Sequence, residues 1–196
     1  MKIKKWRKTI RKYFPDLVLP AEIGASVICQ LCIKDITNPF GLVYVDVPSS
    51  GKTITLNFFS GLKDLAYVTD DFTPASFVTN AANKKAEELE GIDLLPKIKN
   101  KVFIIRDLVP IFGKRDDDLL RMMGILTRVF DGEGLFTNTG LYGRRGYEGR
   151  YLFMFLAGCT PFQPRVWKIM GNFGSRLFFL NMSSPDKDCA TLAEQL

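Results

Sequence analysis

Gly51-Lys52-Thr53 closes a small-residue turn that follows the apolar run at residues 42–45. A strand, a tight turn and a helix-compatible segment in that order are the layout of a phosphate-binding P-loop, the alternative being a chance Gly-Lys-Thr in a strand-to-helix turn. Pro48, Ser49, Ser50, Gly51, Lys52, Thr53 and Ile54 would wrap the phosphates, largely through backbone N–H groups at a helix start. Lys52 would neutralise the β and γ oxygens, and the Thr53 hydroxyl would ligate magnesium. The fuller pattern has glycine at the position of Asp46. A second half of such a site should be a buried strand ending in an acid, and Val102–Ile105 followed by Arg106-Asp107 supplies it. Asp107 would hold magnesium through water, or else serve as a strand-terminal turn residue. The apolar run at 151–156 leads to Thr160, which could position water near the γ-phosphate. Arg176, just before Leu177–Asn181, could reach a neighbouring subunit's site as an arginine finger or form a surface ion pair.

These residues need a scaffold, and the chain reads as short apolar strands separated by helices. Residues 2–14 form a basic amphipathic helix stopped by Pro15, and a second helix opens at Pro20 or Ala21 and runs to Asp35. Asn38-Pro39 then breaks the chain. A helix over 53–59 is closed by Gly61, and Ala66–Thr69 is a short strand leading into Asp70-Asp71. Residues 73–89 read as mostly helical, with Thr73-Pro74 as cap and first turn. A helix over 116–130 carries three aspartates at its positive end. The glycine-rich stretch 132–149 reads as a hairpin or an exposed loop. All-apolar strands alternating with helices predict a parallel α/β sheet.

The chain has 196 residues, 46% hydrophobic and 24% charged, as expected of one globular unit with a sizeable core. No apolar run reaches the roughly 18 residues that span a bilayer, so no membrane partner is expected. The charged start, with no apolar segment after it, predicts a cytoplasmic protein. The net charge of +6 is concentrated in Lys2, Lys4, Lys5, Arg7, Lys8, Arg11 and Lys12. Such a segment suits nucleic acid or an anionic surface; it equally suits a solvated helix face whose Ile3, Trp6 and Ile10 dock on the body. Histidine is absent, which removes the commonest general base and zinc ligand. Cys29 and Cys32 lie in an apolar stretch that reads as a buried helix, so free buried thiols are expected rather than zinc ligands.

The order of Gly-Lys-Thr, Asp-Asp-x-Thr-Pro-Ala-Ser-Phe, Leu-Leu-Pro-Lys-Ile-Lys-Asn-Lys-Val-Phe-Ile-Ile-Arg-Asp, Phe-Asp-Gly, Ala-Gly-Cys-Thr-Pro and Gly-Ser-Arg-Leu resembles P-loop ATPases of phages and mobile elements. These belong to the AAA+-like, helicase-related group, and the similarity covers about residues 42–182. The resemblance implies a P-loop NTPase three-layer sandwich with a mainly parallel sheet of ASCE type. Its ATPase domain would span 39–196, after a basic helical segment over 1–38. ATP and Mg2+ are the implied cofactors, and a homo-oligomer acting on DNA in helicase- or translocase-like fashion is the implied assembly. In that group a β-hairpin precedes the sensor strand and points into the ring pore. Residues 132–149 fall there, with Arg144 and Arg145 flanked by Tyr142 and Tyr147, a combination able to grip a strand; a merely solvent-exposed hairpin is the alternative. Leu108 stands where many hydrolysing members carry glutamate, and Asp70 and Asp71 are reserve candidates for polarising water. Two other readings remain open: a monomeric P-loop kinase with Arg144, Arg145 and Arg150 as its lid, and a regulatory nucleotide-binding module with little turnover.

Overall fold

Every residue of Val102–Ile105 and of Met154–Cys159 is buried, a pattern that strands covered on both faces have. The structure, a computed structural model, describes residues 3–79, 86–140, 143–171, 174 and 176–182. The strands are β1 (Phe40–Val45), β2 (Ala66–Thr69), β3 (Val102–Ile105), β4 (Gly134–Thr139), β5 (Gly143–Glu148), β6 (Met154–Cys159) and β7 (Leu177–Asn181). Five of them form one sheet in the order β2-β3-β6-β1-β7, with every pairing parallel. β4 and β5 form a separate antiparallel hairpin. The predicted α/β class and parallel sheet are therefore present.

Alternate residues of each central strand feed two cores, as the period-two geometry of a strand requires. Val43, Phe103, Ile105, Phe155 and Ala157 join one core, and Leu42, Tyr44, Ile104, Met154 and Leu156 join the other. The first core is covered by α6 (Leu94–Ile98), α8 (Asp116–Val129) and α9 (Pro164–Met170), with short α4 (Pro74–Phe77) and α7 (Val109–Phe112). The second is covered by α2 (Val18–Cys29) and α3 (Lys52–Ser60), with α1 (Ile3–Tyr13) outside them. Trp6 of α1 packs on Phe59 of α3, and the buried Tyr44 hydroxyl donates to the Pro20 carbonyl at 2.9 Å. Gly24 gives α2 its close approach: a methyl there would meet the Tyr44 hydroxyl and the Phe59 ring within 3 Å.

Several expectations change. The helix predicted over 73–89 is broken: α4 ends at Phe77, Val78 is extended, and α5 (Ala86–Glu90) is separate. Phe77 and Val78 are both buried, and the Thr79 N–H turns to Asp93. The strand predicted at 151–156 runs instead over β6, because pairing with β3 begins at Met154. The residues before it are clamped by Asn100 N–H to Leu152 C=O and Met154 N–H to Lys101 C=O. Cys29 and Cys32 are exposed rather than buried, because they fall at the end of α2 and in the 3-10 turn after it. The helical stretch Pro15–Cys32 is, by length and composition, long and apolar enough to cross a membrane, contrary to the expectation that no such run exists. Its Ala21, Gly24, Val27 and Ile28 are buried against the sheet and α3, as in a core helix.

Candidate functional site

A parallel sheet gathers the C-terminal ends of its strands along one edge, where the ends of β1, β6 and β3 follow one another. The turn after β1 requires left-handed backbone at two positions, Ser49 (φ 66°) and Gly51 (φ 93°). Asp46 has no such requirement, so glycine is dispensable there for backbone reasons. The Asp46 carboxylate accepts the Val47 N–H at 2.7 Å, and its own N–H donates to Cys159 C=O. The left-handed φ favours glycine at position 51, and a side chain there would also make the Leu17 Cδ2 methyl, 2.8 Å away, shift. α3 starts immediately after, and the first N–H groups of a helix lack acceptors within it.

The Lys52 ammonium folds back into this turn. It donates to the carbonyls of Asp46 (2.8 Å) and Val47 (2.6 Å) and to Ser50 Oγ (3.1 Å). All three acceptors are neutral, and Lys52 makes no ion pair among the described residues. The half-buried ammonium thus carries its charge among neutral oxygens beside the N-terminus of α3. Thr53 is exposed at the mouth, and Thr55 is turned away to the Gly51 carbonyl.

β6 lies between β1 and β3, so its end separates the Lys52 turn from Asp107. Asp107 is exposed, and one of its oxygens accepts the Val109 N–H at 2.9 Å in the turn that leads into α7. That uses one carboxylate oxygen as a turn device and leaves the charge on the same edge as Lys52. Burial first and the Asp107 charge second push the Cys159 thiol up to about 12, against the opposing Lys52 charge. Both ions thus act on one sulfur. Thr160 follows, half-buried, lining a cavity of about 310 Å³ with Val109, Phe112 and Arg165. Lys52, Thr53, Asp107 and Thr160 are therefore brought to one edge of the sheet.

Other candidates lie elsewhere. Arg176 precedes β7 and sits at the opposite edge, about 20 Å from Lys52 across the strand length. There it is paired with Asp131 at 2.6 Å. Asp70 and Asp71 are on the Lys52 edge but at its outer end, after β2, where Arg106 holds Asp70 in a two-pronged pair (2.8 and 2.7 Å) and Asp71 faces Lys114. In the hairpin, Arg145 and Tyr147 turn inward: the Arg145 guanidinium and Tyr147 hydroxyl both donate to the fully buried Asp93, at 2.8 and 2.7 Å. Burial first, then the Asp93 contact, raises the Tyr147 phenol well above its usual value. Arg144 faces outward with its guanidinium 4.1 Å from the Phe136 ring centroid. Tyr142 lies outside the described residues. Arg150 donates to Ile36 C=O, just before β1, at the edge away from Lys52.

Three contributors were not anticipated from sequence. Gly158 lets β6 pass close to the loop, since a methyl there would meet the Arg106 carbonyl at 2.8 Å and Lys52 Cβ at 3.5 Å. A lone glycine inside an apolar strand is a signal of that kind. Leu17 and Asp93 carried none. No known protein family and no curated protein matches the chain.

The raised Cys159 thiol has a direct readout. At pH 8 its thiolate fraction should be roughly a thousandfold below that of an ordinary cysteine. Iodoacetamide is expected to modify exposed Cys29 and Cys32 in the folded chain and to reach Cys159 only after urea unfolding, as read by peptide mass spectrometry.

Proposed function

We propose that this chain is a P-loop ATPase that binds MgATP at the Lys52 edge and works on DNA as an oligomer. The observation that carries the reading is the Lys52 ammonium, held by Asp46 C=O, Val47 C=O and Ser50 Oγ with no counter-ion among the described residues. The strand order supports the ASCE form of the fold, because β6 separates the lysine-bearing β1 turn from the acid-bearing β3. In this reading Lys52 and the α3 N-terminus bind the phosphates, Thr53 and Asp107 hold magnesium, and Thr160 contacts the γ-phosphate side. Arg176, on the far edge, acts only on a neighbour's nucleotide, after leaving Asp131.

The kinase alternative is weaker, because Arg145 is tied to Asp93 and Arg150 to Ile36 C=O, away from Lys52. A slow or non-hydrolysing module draws support from Leu108, which is buried and donates its N–H to Gly158 C=O where a water-polarising acid would stand. The test is ATP hydrolysis with and without single- and double-stranded DNA, together with the mass of the assembled species. DNA-stimulated turnover by an oligomer is expected. ATP binding without turnover supports the regulatory module, and absence of ATP binding rejects the whole reading.

A further inference from the structure

We propose that the outward face of α1, rather than the β4–β5 hairpin, is the main nucleic-acid docking surface of this protein. The inference deepens the ATPase reading by naming where the polyanion sits, but binding at α1 is measurable without nucleotide.

α1 is divided by charge. Ile10 is buried and Trp6 lies on Phe59, so the middle of the apolar side is used against the body, while Ile3 and Tyr13 at its two ends stay exposed. Lys4, Lys5, Lys8, Arg11 and Lys12 are all exposed, and at 100° per residue they occupy an arc of roughly 120° on the other side. α1 contains no acidic residue; its Arg7 pairs with Glu22 and its Lys12 lies over the Tyr13 ring, while Lys4, Lys5, Lys8 and Arg11 make no ion pair among the described residues. A helix of this length covers about 16 Å, along which duplex DNA presents one phosphate charge per roughly 1.7 Å. Cations without nearby carboxylates release counterions from such a backbone at little structural cost.

The same division argues against a bilayer. An interfacial helix inserts its apolar face among the acyl chains, and here the centre of that face, Trp6 and Ile10, would have to leave Phe59 and the body first. A polyanion asks for the cations alone. The hairpin competes poorly: Arg145 and Tyr147 are committed to Asp93, which leaves Arg144 as its outward arginine.

The experiment is fluorescence anisotropy with labelled 30-nucleotide single-stranded and 30-base-pair duplex DNA, in 50 to 200 mM NaCl, without nucleotide. With about four phosphates engaged, wild-type affinity should fall about 100-fold across that range. The variant Lys4→Gln/Lys5→Gln/Lys8→Gln/Arg11→Gln should bind at least tenfold more weakly at 50 mM and lose most of the salt slope. Lys4→Arg/Lys5→Arg/Lys8→Arg should bind like wild type, which guards against a mere folding defect in the glutamine variant. Arg144→Ala should change affinity by less than about threefold. Wild-type-like binding and slope in the glutamine variant would overturn the proposal, as would loss of binding in Arg144→Ala alone. Failure of the wild type to bind either DNA also overturns it, including the case where it binds phosphatidylcholine vesicles with 30% phosphatidylserine. ATP affinity, measured on the same proteins, should be unchanged by the glutamine substitutions; its loss in every protein would count against the phosphate loop and not against α1.

Discussion

Lys52→Ala is expected to weaken MgATP binding by roughly 10- to 100-fold while leaving the fold in place. Hydrogen bonds to a charged partner contribute about 1.5–3 kcal/mol each, and about 1.4 kcal/mol is a factor of ten in affinity. The ammonium is the one cation at the turn, so no described neighbour can replace it. Alanine suits the first turn of α3 and leaves no buried charge behind, so the cost to stability should stay near 1 kcal/mol. That cost would come from the lost ties to Asp46 C=O, Val47 C=O and Ser50 Oγ, which brace the turn around Ser49. Calorimetric titration with MgATP and a urea midpoint separate the two effects. An unchanged affinity would remove Lys52 from the site and the ATPase reading with it.

The largest loss of stability should follow Asp93→Ala. Asp93 is fully buried and accepts three hydrogen bonds, from Thr79 N–H, Arg145 and the Tyr147 hydroxyl. Removing it strands a mostly buried guanidinium, a backbone N–H and a phenol at once. Breaking a buried pair from one side costs about 3–5 kcal/mol. The Arg145 side chain keeps 18% exposure, so the low end, about 3 kcal/mol, is expected. Asp93→Asn retains an acceptor and should cost roughly half as much. Urea unfolding of the two variants checks both the size and the order. Equal midpoints for wild type and both variants would mean that the network contributes little and that the hairpin is held by Leu135 and its apolar contacts.

Much of the scaffold was legible because short-range signals and long-range packing agree. β2, β3 and β7 have the bounds that their apolar runs predict, and the hairpin lies where glycines at 132, 134, 143, 146 and 149 take positive φ. The grouping of Lys52, Asp107 and Thr160 was legible from motif order, since strands pairing in parallel deliver their ends to one edge. What was not legible depends on partners distant in sequence. Alternation along β5 puts residues 145 and 147 on one face, but which face meets the body is decided by Asp93. The helix expected over 73–89 yields to the burial of Phe77 and Val78 and to the same carboxylate. The apolar run before β6 looks like strand, yet Leu152 and Phe153 pack before pairing with β3 starts. Asp46 looked like a defect in the loop, and the backbone shows why it is tolerated: the left-handed turns fall at Ser49 and Gly51 instead.

Leu17 leaves no room for a side chain at Gly51, since a methyl there would meet it at 2.8 Å. Trp6 and Phe14 meanwhile lie against Phe59 and Phe58 of α3. The N-terminal helices therefore form the back wall of the Lys52 turn, and the shape of that turn is set partly by a segment more than thirty residues upstream of it.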